Sequence, residues 1–105
     1  DEHCLHVVAE AAPGGAVGTG RLLPDGHIGR MAVIQDWRRR GIGGRLLAEL
    51  IAAARERGHF VVKLSAQTHA LGFYRRFGFE VASEEYLEAG IPHHAMQFSL
   101  LTPHE

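Results

Sequence analysis

What this chain has little of narrows it first. It has one cysteine, Cys4, in 105 residues, which excludes an internal disulfide and fits a reducing, cytoplasmic setting. Cys4 falls in a predicted strand, so it reads as a buried inert thiol and not as a nucleophile. No apolar run approaches the ~20 residues that cross a bilayer, and no signal-peptide pattern opens the chain. A soluble, cytoplasmic protein with no membrane partner is therefore expected. Charge of one sign is also missing: 11 Lys and Arg stand against 12 Asp and Glu, a formal net charge of -1, so no nucleic-acid partner is expected. There is no repeat, low-complexity tract or linker. With 46% hydrophobic and 22% charged residues, one small globular domain over residues 1–105 is expected.

The basic charge that is present is concentrated. Five of the eleven Lys and Arg lie between Arg38 and Arg55, a patch that suits a small polyanionic ligand better than a polymer. This patch belongs to the stretch Met31–Gly58, MAVIQDWRRRGIGGRLLAELIAAARERG, around which the rest is organised. Met31, Ala32, Val33 and Ile34 read as the end of a buried strand. A polar turn comes next with Arg38, Arg39, Arg40, Gly41, Gly43 and Gly44, and then an amphipathic helix over about Ile42–Arg57. Ile42, Leu46, Leu50 and Ala54 share one face of it, with Leu47 and Ile51 beside them. A strand that passes through a glycine-rich turn into a helix offers an anion the unpaired N–H groups of the first helical turn. Glycines without Cβ let a phosphate approach, and Arg45 adds charge at the same end. The same residues also make an ordinary flexible turn with a solvated basic face. A dinucleotide fingerprint is excluded, because Leu46 stands where its third glycine would be, and the Lys-Ser/Thr pair of a nucleotide-triphosphate loop is absent.

On either side, Cys4–Ala11 and Ala16–Leu23 read as strands, the second weakened by glycines. Pro24, Asp25 and Gly26 mark a turn that pairs it antiparallel with a third strand, about His27–Ile34. After the helix, Phe60–Ala66 is a near-continuous apolar run, expected to be covered on both faces. A strand, a helix and a second buried strand predict a right-handed crossover with the two strands parallel. A short helix over about Ala70–Phe77 ends at Gly78, and Phe79–Ala82 begins another strand. Ser83–His94 is expected to be irregular, and Ala95–Leu101 to be a half-buried edge strand.

Two motifs now stand in order. Arg38, Gly41 and Gly43 form R-x-x-G-x-G, and Ala70, Phe73, Tyr74, Gly78 and Phe79 form A-x-x-F-Y-x-x-x-G-F. Together they resemble the GNAT superfamily of N-acetyltransferases. With Glu88, Gly90, Ile91, Pro92 and His93 the chain is similar to its ElaA and YjcF branch over nearly its whole length. The resemblance implies an α/β (α+β) fold, a mixed and mostly antiparallel sheet with a parallel β-α-β step at its centre. Family members usually begin with a further strand and a helical pair, so either this domain is N-terminally truncated or that piece lies outside this sequence.

The implied activity is transfer of an acetyl group from acetyl-CoA to a primary amine of a small molecule or protein, by direct attack. A non-catalytic acyl-CoA-binding module is the alternative. By resemblance, Ala32, Val33, Arg38, Arg39, Arg40, Gly41, Ile42, Gly43, Gly44, Arg45, Gln67, Phe73 and Tyr74 form the coenzyme site. The Val33 N–H would bond the thioester oxygen, and Tyr74 would protonate the leaving sulfur. Gln67, standing where the superfamily commonly has Asn, would bond the pantetheine arm or cap a helix. The base is open among His69, His93, Glu84, Glu85 and a water chain, with His69 and His93 on the acceptor side. Eight histidines raise the question of a metal, but none pairs at ligand spacing and none is expected. A homodimer is an allowed assembly.

Overall fold

The computed structural model describes residues 4–10, 15–33 and 41–100. They cluster into two compact units, Asp1–His59 and Phe60–Glu105.

In the first unit, β1 (Leu5–Glu10), β2 (Ala16–Leu22) and β3 (Ile28–Val33) form an antiparallel sheet in that order, and α1 (Ile42–Glu56) packs on it. The turn between β2 and β3 is closed by Leu23 N–H donating to His27 O at 2.8 Å and Gly26 N–H donating to Leu23 O at 3.0 Å. Two donors of His27, its main-chain N–H and its ring, hold the Asp25 carboxyl below its ordinary pKa. The glycines that weaken β2 as a strand have a packing role. A Cβ on Gly18 would stand 3.0 Å from Ile42 and 3.1 Å from Leu46, and one on Gly20 would stand 2.9 Å from Leu50. Bare backbone on β2 thus lets α1 lie close, and Leu46, Leu47, Leu50, Ile51 and Ala54 are buried.

Four buried aliphatic side chains contribute roughly 1.5–3 kcal/mol each. With glycine at the N-cap the missing side-chain cap costs only a few tenths of a kcal/mol, so packing sustains α1 while its mouth stays uncapped. Its far end is a Schellman motif: Gly58, at φ +82°, donates to Arg55 O, and His59 N–H donates to Ala54 O, both at 3.1 Å.

In the second unit, β7 (Ile91–Ser99) is central. It pairs with β4 (Val61–Gln67) on one side and with β5 (Glu80–Val81) and β6 (Tyr86–Glu88) on the other, all antiparallel. A 3-10 turn, Thr68–Ala70, leads into α2 (Leu71–Arg75). Gly78 N–H donates to Arg75 O and Phe79 N–H to Tyr74 O, a second Schellman closure. Phe79, Val62, Leu64, Ala66 and Met96 are buried, and the Phe79 and Phe98 rings meet at 5.4 Å.

Several expectations need correction. Ser83–His94 is not irregular throughout: β6 and the start of β7 form a hairpin with Ala89 and Gly90 at its tip, both at positive φ, as a type I′ turn requires. Pro92 hid it. Pro92 pairs with Leu87, one position inside the turn, where its nitrogen faces away from β6; β4 has already ended at Gln67, opposite His93, so no ladder bond is lost. The last strand is central and not an edge, because alternation of Met96 and Phe98 with Gln97 and Ser99 reports one solvated face, not a free edge. For the same reason β4 is covered on one face only, with Lys63, Ser65 and Gln67 exposed. Cys4 is half-exposed and stands just before β1. Every ladder among the described residues is antiparallel; the expected parallel step concerns β3 and β4, which fall in different units and are not among those ladders.

Candidate functional site

The candidate residues of the first unit offer main-chain groups. Ala32 and Val33 end β3, opposite Thr19 and Gly18 of β2. Just before them the register shifts: Thr19 pairs with Ala32 but Arg21 with Gly29, so two residues of β3 oppose Gly20. Such a bulge bends the strand and re-aims its last residues. Gly41 then opens α1 in the left-handed region, φ +80°, with nothing within 4 Å of where a Cβ would be. No acidic residue occupies the first turn and no side chain caps it. Ile42, Gly43 and Gly44 form this turn, and Arg45 is exposed beside it. Arg38, Arg39 and Arg40, together with Ile34, lie outside the described residues. A cavity of about 650 Å³ flanks α1 toward β1, lined by Val7, Val17, Ile42, Arg45, Leu46 and Glu49 among others; it includes none of the three glycines.

The second unit carries side chains. Tyr74 sits on α2 with its ring edge-on to Phe73 at 5.0 Å and to Phe79 at 6.0 Å. Burial raises its phenol above the ordinary value of 10.0, so it is a protonated donor at neutral pH. Gln67 ends β4 and does not cap the turn after it; its Oε1 accepts from His69 Nε2 at 2.5 Å. Gln67 also stands opposite His93 in the β4–β7 ladder, so His69, Gln67 and His93 share one end of this sheet. Glu85, a candidate base, is taken up elsewhere, accepting from Thr68 Oγ1 at 3.0 Å. Because that bond uses the only Thr68 hydroxyl proton, His94 must donate through Nδ1 to Thr68 Oγ1 at 3.2 Å. Glu84 is exposed.

Sequence reasoning missed Ser65 and Tyr86. Tyr86 Oη lies 2.5 Å from Ser65 Oγ, and Ser65 donates to Glu88 Oε1 at 3.1 Å. The alternation of Tyr86 and Glu88 around Leu87, just ahead of an Ala-Gly turn, was the available signal. Among the described residues no three His, Cys, Asp or Glu side chains gather as metal ligands, and no helix is long and apolar enough to cross a membrane.

The class is that of the acyl-CoA N-acyltransferases, whose solved structures this fold matches. The model of the acetyltransferase (GNAT) domain matches residues 1–100, and the chain belongs to that family. It is 42% identical over 81 residues to the uncharacterized N-acetyltransferase YjcF of Bacillus subtilis, covering 73% of this chain and 58% of YjcF. An acyl-CoA N-acyltransferase from Pseudomonas aeruginosa superposes with a TM-score of 0.83 at 33% identity, covering 91% of this chain and 68% of that one. Escherichia coli ElaA superposes with a TM-score of 0.81 at 28% identity, with the same coverage of 91% and 68%. The chain spans 58–64% of the length of the Bacillus subtilis relatives it matches.

Proposed function

We propose that this chain is the catalytic part of an N-acetyltransferase that moves an acetyl group from acetyl-CoA to a primary amine. The observation that carries the reading is the head of α1. A helix mouth with a left-handed glycine, open space at that glycine and no acid or cap in its first turn fits a diphosphate. Main-chain N–H groups of Ile42, Gly43 and Gly44 would hold it, with Arg45 and Arg38 to Arg40 adding charge. When bound, acetyl-CoA supplies an activated thioester carbonyl.

The chain's own residues do the rest. Val33, next to Ala32 at the end of β3, offers its N–H to the acyl oxygen, a donor worth a few kcal/mol where charge develops in the transition state. Gln67 offers an amide to the pantetheine arm, and Phe73 an apolar wall. Tyr74 Oη holds a proton that it gives up as the leaving group departs, and its raised pKa keeps that proton in place until then.

Release of free thiol from acetyl-CoA in the presence of amine, measured on wild type and Tyr74→Phe, tests this. The variant should keep coenzyme affinity and lose roughly 10²–10⁴-fold in turnover. Coenzyme binding by a wild type without turnover would make the chain an acyl-CoA-binding module instead.

A further inference from the structure

We infer that Glu88 and His93, backed by Tyr86 and Ser65, form the receptor for the acceptor's ammonium group, with His93 Nε2 as the base that takes its proton. This rests on the acetyltransferase reading and assigns the group that reading leaves open.

Ser65 spends its one hydroxyl proton on Glu88 Oε1, so the 2.5 Å contact must be Tyr86 donating to Ser65. Tyr86 and Ser65 therefore relay two hydrogen bonds in one direction, onto one carboxylate oxygen, and leave Oε2 open. His93 is oriented in the same way. Its Nδ1 lies 2.7 Å from the Ile91 carbonyl, which only accepts, so Nδ1 carries a proton and the lone pair of the neutral ring is on Nε2. The Tyr86 ring stacks on the imidazole at 6.2 Å and 24°, fixing its plane.

The two open acceptors, Glu88 Oε2 and His93 Nε2, are 3.9 Å apart, too far to bond each other. One amine nitrogen with several N–H donors reaches both. His93 is buried and Glu88 is 57% exposed, so the pair has a fixed wall and an open one. Nε2 has no hydrogen bond, yet Arg21 Nε is the one occluded, unpartnered side-chain atom among the described residues, so Nε2 is not fully closed off.

The residues facing this point come from three strands. Tyr86 and Glu88 lie on β6, and Ser65 and Gln67 on β4, with Lys63 farther along the same face; Glu80 of β5 stands opposite Gln97. Among the described residues Glu88 is thus the one carboxylate within 4 Å of the imidazole, and it selects a cation. In the step itself an N–H bond of R–NH3+ breaks, the proton moves to Nε2, and the electron pair stays on nitrogen as the nucleophile. The carboxylate then faces an imidazolium, and its charge is still matched. The substrate class is an unhindered primary amine that arrives protonated.

The test uses wild-type protein with 1,4-diaminobutane as the probe and 1,4-butanediol as its uncharged control. The readout is the 15N resonances of the His93 ring, assigned by their loss in His93→Gln. The diamine, and not the diol, should shift them, and Glu88→Gln should weaken that response about tenfold or more. His93 resonances that ignore the diamine overturn the proposal. In turnover, His93→Gln should lower kcat roughly 10²–10⁴-fold. Glu88→Gln should raise the amine KM more than it lowers kcat. A His93→Gln enzyme that keeps turnover also overturns it. Wild type that fails to bind coenzyme A would remove the acetyltransferase reading, and the diamine response would then decide the ammonium receptor by itself.

Discussion

The two halves of the chain solve different problems with different residues. Ten of the thirteen glycines precede His59, whereas all five phenylalanines and both tyrosines come after it. In the first unit the informative atoms belong to the backbone: the bulge in β3, the bare surface of β2 and the uncapped mouth of α1. In the second they belong to side chains: the Phe73, Tyr74, Phe79 and Phe98 cluster and the Ser65, Tyr86, Glu88 and His93 network. A diphosphate asks for close approach and many weak donors, which glycine-rich backbone provides. Proton transfer asks for a few titratable groups held at set distances, which needs packed rings and side-chain hydrogen bonds. Substitutions should separate the two strategies.

The largest effect is expected where the second unit borrows the first unit's device. Gly78 sits at φ +102°, and a Cβ there would lie 2.6 Å from Cε1 of Phe98, a ring packed against Phe79. Gly78→Ala should cost about 2–5 kcal/mol, the sum of left-handed strain and overpacking, read from the shift in denaturant midpoint. Gly20→Ala is the matching change in the first unit. Its Cβ would meet Leu50 Cδ1 at 2.9 Å and Met31 Cγ at 3.2 Å, ends of flexible side chains, with no positive φ. About 1–2 kcal/mol is expected, less than for Gly78. A larger loss at Gly20 than at Gly78 would reverse the comparison.

The alkaline limb of stability comes next. The folded pKa of Tyr74 is raised by burial, so its contribution is intact below the unfolded value near 10 and is lost as pH rises through the folded value. Stability measured by urea unfolding should decline above about pH 10, and Tyr74→Phe should remove part of that decline. The smallest effect is a gain. Ala89 holds a left-handed conformation, φ +52°, at a hairpin tip, and Ala89→Gly relieves it. Against the extra freedom glycine adds to the unfolded chain, about 0.5–1 kcal/mol of stabilisation should remain, measured in the same way.

These differences also decide what could be read from sequence. The body of α1 was legible because its apolar period is long, and Gly58 and Gly78 marked helix ends because their left-handed backbone favours glycine. The acetyltransferase motifs were legible for a similar reason, as local patterns of turn and helix. The β6–β7 hairpin was not, since Pro92 looks like a breaker until its register is known. Nor was the central place of β7, because alternation reports faces and not neighbours. Ser65 and Glu88 are 23 residues apart, and only the β4–β7–β6 pairing brings them together. Tyr74 was found through its motif, while its raised pKa is a property of the packed aromatic cluster.

The central claim is that main-chain amides at the head of α1 hold a diphosphate, and calorimetry with coenzyme A on wild type and Gly43→Asp tests it most directly. An aspartate in the first turn favours the helix dipole, so the variant should fold, yet its charge opposes a bound anion. The account predicts measurable binding by wild type and a loss of about tenfold or more in the variant. Equal affinity in the two proteins, or none in wild type, would contradict it.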